Sequence, residues 1–76
     1  MTLTALCERF IDKNAHISVI ELKNDFTVET LVDSEQIWHL EYSNWALYSV
    51  KYIDVAPYTM RVYVTPPNDG YKKADY

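Results

Sequence analysis

Apolar residues fall at Leu3, Leu6, Cys7, Phe10 and Ile11, the i, i+3, i+4, i+7, i+8 series of an amphipathic helix, and Thr2 stands where its N-cap belongs. Lys13-Asn14-Ala15 ends that helix. The β-branched run "HISVIELK" (16–23) then predicts a strand whose apolar residues change phase between Val19 and Ile20, which implies a bulge or a strand covered on both faces. Asn24-Asp25 predicts a two-residue turn into a second strand, "FTVETLV" (26–32). That strand sets Phe26, Val28 and Thr30 on one side and Thr27, Glu29 and Leu31 on the other.

The next stretch, "DSEQIWHLEYSNWALYS" (33–49), fits two templates. Asp33 with Gln36 resembles a capping box, whereas Trp38, Leu40 and Tyr42 alternate against His39 and Glu41 as a strand would. The alternation predicts an extended piece over 36–42, followed by a helical turn from Ser43 or Asn44 through Trp45 to Tyr48. "SVKYIDVAPYTMRVYV" (49–64) reads as a hairpin folded at Ala56-Pro57, because Pro57 cannot donate to a ladder but presets φ for a turn. Its first strand sets Val50, Tyr52 and Asp54 against Lys51, Ile53 and Val55. Its second sets Tyr58, Met60, Val62 and Val64 against Thr59, Arg61, Tyr63 and Thr65. "PPNDGYKKADY" (66–76) has the composition of an unpacked tail.

The pattern predicts an α+β fold: an N-terminal amphipathic helix packed on a small, mainly antiparallel sheet of roughly three to five strands, with a short helical turn near 44–48. Residues 1–65 form one domain and 66–76 a flexible C-terminal tail. A chain of 76 residues with 49% apolar residues and only one glycine has enough apolar surface for one core and no room for a second. At that length it buries roughly 60% of its unfolded surface and gains from association. The lone Cys7 excludes an internal disulfide, and with the unclustered His16 and His39 it makes no structural zinc motif. No apolar run approaches the ~20 residues of a membrane span, and the N-terminus lacks the basic start and apolar stretch of a leader, so a cytoplasmic protein is expected.

The net charge of −4 is unevenly spread. Residues 1–43 hold eight acids and three bases, net −5, whereas 44–76 hold three acids and four bases, net +1. Between Lys23 and Lys51 there are five acids and no lysine or arginine, a surface that repels phosphate backbones and suits either solvent or a basic protein groove. Direct nucleic-acid binding is therefore not expected.

Candidate chemistry is sparse. Cys7 lies on the apolar side of its helix, where burial raises a thiol pKa, so it reads as a small core residue and not a nucleophile. His39 has no histidine or cysteine at a spacing that would make it a ligand or a general base. No catalytic residue, cofactor site or metal site is assigned, and no enzyme activity is expected. The aromatic load is high, with seven Tyr and two Trp. Trp38 and Trp45 read first as core, since each aromatic can bury roughly 150–250 Å². The tyrosines at 42, 48, 52, 58 and 63 cannot all point inward from a thin domain, and exposed tyrosine on a sheet offers a protein-contact surface at low entropy cost.

The order of features in "MTLTALCERF", "ISVIELKND" and "LYSVKYIDVAPYTMRVYV", with its Val50, Ile53 and Val55, resembles small proteins encoded by bacteriophages and prophages of Gram-positive bacteria. The Trp38–Trp45 region departs from that pattern. Such proteins include inhibitors of host defence nucleases, among them anti-CRISPR proteins. The resemblance implies a phage-type module in the host cytoplasm that inhibits a host protein, such as a nucleic-acid-binding nuclease, by occupying its basic groove. Glu29, Glu35 and Glu41 would supply the charge, and Tyr52 and Tyr63 the aromatic anchors. The alternative expectation is an assembly protein that forms a homodimer through its aromatic sheet face or edge.

Overall fold

The computed structural model describes residues 1–23, 27–57 and 59–67, in the order α1 (Leu3–Cys7), β1 (His16–Leu22), β2 (Val28–Gln36), α2 (Ile37–Glu41), β3 (Ser49–Ala56) and β4 (Thr59–Thr65). Four consecutive residues of β1, Ile17 to Ile20, are buried, and the strand lies inside the sheet between β2 and β4. The sheet order is β2-β1-β4-β3, with β1–β2 and β3–β4 antiparallel and β1–β4 parallel. The fold is thus α+β with a mixed four-stranded sheet. The Asn24-Asp25 turn, Tyr58 and the tail from 68 onward lie outside the described residues.

One sheet face carries the core. Ile17 and Val19 of β1 and Val62 and Val64 of β4 join Leu3, Leu6 and Cys7 of α1 and Ile37 and Leu40 of α2 in one buried cluster, with Phe10, Leu31, Val32, Trp45, Tyr48, Val50 and Met60 packed against it. The phase change read at Val19/Ile20 is real: the β1–β2 register shifts twice, between Ile17 and Val19 and between Val19 and Ile20. At this bulge Ser18, buried, donates from its Oγ to Asp33 Oδ1 at 3.1 Å and accepts the Ser34 N–H at 3.1 Å. The hydroxyl thereby gives the Ser34 N–H an acceptor where the ladder is irregular, and Ser34 takes a left-handed φ of 67°.

Three expectations change. The first helix is short: Thr2 caps it by accepting from Ala5 N–H at 3.2 Å, but it ends at Cys7, and Ile11, assigned to its apolar side, is fully exposed. Arg9 and Phe10 close the last turn with bonds to Leu6 and Cys7, and Lys13 Nζ donates to the Cys7 carbonyl at 2.8 Å, so the chain leaves the helix direction before Ile11 can reach the core.

The second change concerns 36–42, which is not extended. Residues 37–41 form α2, with the i, i+3 pair Ile37 and Leu40 buried and Trp38 exposed instead of in the core. Asp33 and Gln36 form no capping box. The first amides of α2, those of Ile37 and Trp38, donate instead to the carbonyls of Ala15 at 3.0 Å and Lys13 at 3.2 Å, a cap supplied from more than twenty residues away. The short helical turn expected near 44–48 is a pair of single turns with no helix built on them, with Ala46 N–H bonded to the Ser43 carbonyl and Tyr48 N–H to that of Trp45.

The third change is in the hairpin. It forms as read, but the β3–β4 register shifts between Val50 and Tyr52, leaving Lys51 as an extra residue. After it Ile53 and Val55 stand opposite Val62 and Met60, on the core-facing side with Val50, while Tyr52 and Asp54 join Tyr63 and Arg61 on the other side. Among the described residues no helix is long and apolar enough to cross a membrane.

Candidate binding surface

The three glutamates chosen from the sequence lie apart and are each engaged. Glu29 and Glu35 stand near opposite ends of β2, six residues and so about 20 Å apart along the strand. Glu29 is directly opposite Glu21 in the ladder, a like-charge pair that Lys23 bridges at 3.1 Å and 3.6 Å. The hydrogen bond to Glu29 and the charge of Glu21 in turn hold the Lys23 ammonium above its usual pKa. Glu35 accepts the Gln36 N–H at 3.0 Å and has His39 Nδ1 at 3.3 Å, and these bonds hold its carboxyl below the usual carboxylate range. Glu41 closes α2 with its side chain only 13% exposed and Lys13 Nζ 3.3 Å from its carboxylate. Glu29 and Glu35 are thus held apart along β2, and Lys23 beside Glu29 and Lys13 beside Glu41 weaken the fields those two acids project.

The tyrosines behave otherwise. Tyr52 and Tyr63 are directly opposite each other across β3 and β4, with Tyr52 67% exposed. Beside them Arg61 Nη2 donates to Asp54 Oδ2 at 2.7 Å, a cross-strand pair on the same face.

What the sequence reading left out is the rest of β3. Ile53 is 46% exposed and Val55 72% exposed, although both stand opposite core-row residues of β4. The helical layer explains this. Thr2 forms a bridge to Ser49, Val50 N–H donates to the Met1 carbonyl at 2.8 Å, and Leu3 N–H to that of Tyr48 at 2.9 Å. The N-terminal residues therefore occupy the outer edge of β3 as far as Val50, and the hairpin runs on past them. From Lys51 to Ala56 that outer edge carries no strand among the described residues, since β3 is last in the sheet order. An uncovered edge bearing apolar side chains is a template for strand addition. The Val50-Lys51-Tyr52 register shift, which turns Ile53 and Val55 to the core-facing side, leaves no mark in a sequence that alternates smoothly.

The opposite edge is different in character. β2 is kinked by its two register shifts and carries Glu29, Asp33 and Glu35, the features by which an edge strand resists pairing. Trp38, exposed on α2, lies with its ring centroid 3.8 Å from that of the neighbouring His39, the planes tilted by 54°, and donates its Nε1–H to Gln36 Oε1 at 3.2 Å. Both of its polar and aromatic contacts are thus local. Cys7 is fully buried, and desolvation, with the charge of Glu41, pushes its thiol up to about 11. Among the described residues no group of three or more His, Cys, Asp and Glu is placed to hold a metal ion.

No family model, curated protein or solved structure matches this chain.

Proposed function

We propose that this chain is a small protein-binding module that works by stoichiometric association and not by catalysis, with the outer edge of β3 from Lys51 to Ala56 and the adjoining Tyr52–Tyr63 pair as its contact surface. The observation that carries this reading is the outer edge itself, where Tyr52 on one face and Ile53 and Val55 on the other are exposed along a strand that, among the described residues, has no neighbour on the side away from β4. Strand addition supplies main-chain hydrogen bonds, and alternate side chains supply the specificity. The aromatic pair adds an anchor of the kind found at the desolvated centre of interfaces.

A narrower reading makes the partner a host protein, a defence nuclease of the kind anti-CRISPR proteins inhibit, with the acidic residues seated in its nucleic-acid groove. It rests on the net charge of −4 and on the resemblance to small phage proteins. Because Glu29, Glu35 and Glu41 are separately placed and locally paired, β3 is the better-supported contact.

Affinity capture from a bacterial host lysate, run in parallel with three baits, separates the two. The baits are the native chain, Ile53→Lys/Val55→Lys and Glu29→Lys/Glu35→Lys/Glu41→Lys. The expected result is a stoichiometric partner held by the native chain and by the charge-reversed bait and lost from the β3 bait. A partner lost only on charge reversal, with a slower salt-sensitive association, overturns the edge reading in favour of the groove.

A further inference from the structure

We draw no further inference here: the strongest candidate, the outer edge of β3 from Lys51 to Ala56 with Ile53 and Val55 exposed along it, is the surface already described, and nothing in the structure shows what covers it.

Discussion

Truncating Leu40 to alanine is expected to remove about 2–5 kcal/mol of stability, while truncating Tyr42 to alanine changes it by less than about 0.5 kcal/mol. As a strand, 36–42 would put these two side chains on one row. In α2 they part: Leu40 is buried against α1 and the sheet, and Tyr42, at the helix C-cap, is 84% exposed. A domain of this size has a total stability of roughly 4–11 kcal/mol, so the Leu40 variant sits close to unfolding at 25 °C. Urea denaturation followed by tryptophan fluorescence reads both. Equal losses at the two positions would restore the extended reading, and no loss at Leu40 would remove α2 from the core.

Raising the pH from 9 to 11 is expected to destabilise the native chain by about 2 kcal/mol more than a Cys7→Ala variant. The thiol is ionised above about 9 in the unfolded chain, whereas burial and the nearby Glu41 carboxylate hold it protonated to about 11 in the fold. A folded pKa raised above the unfolded one means that the contribution is complete below pH 9 and is lost as the pH rises through 11, because only the unfolded state gains from releasing the proton. Tyrosines and lysines titrate in the same window, so the difference between native and Cys7→Ala melting curves isolates the thiol. Parallel curves would show that Cys7 is solvated in the native state. Such burial also excludes the thiol as a nucleophile at neutral pH.

Local pattern carried much of the fold. The phase shift at Val19/Ile20 announced the bulge, one of the two readings it allowed, and Val62 and Val64 lie on the apolar row that alternation marked in the last strand. What pattern missed depends on partners far along the chain. Residues 37–41 fit two templates because five residues sample barely more than one helical turn, and the choice falls to helix because Ala15 and Lys13 supply the carbonyls that cap its start. The parallel contact of β1 with β4 joins residues more than forty positions apart and has no local trace. The acids between Lys23 and Lys51 read as an unbroken negative stretch because Lys13, twenty-eight positions from Glu41, pairs with it only in the folded state. Tyr52 is exposed, as read from the sequence, whereas Tyr63 opposite it is half-buried. Ile53 and Val55 were not legible as part of the same surface, since the extra residue at Lys51 is a matter of register and not of composition.

Amide hydrogen exchange along β3, resolved by NMR, tests the binding edge most directly. At low concentration and without partner, the amides of 51–56 that point away from β4 should exchange nearly as fast as in an open chain, while those of β1 and of the β3–β4 ladder stay protected. Adding the captured partner should slow the outward amides of β3 alone. Protection of those amides that is already present in the dilute chain, or protection that appears on β2 in their place, would contradict the assignment of β3 as the edge this protein uses.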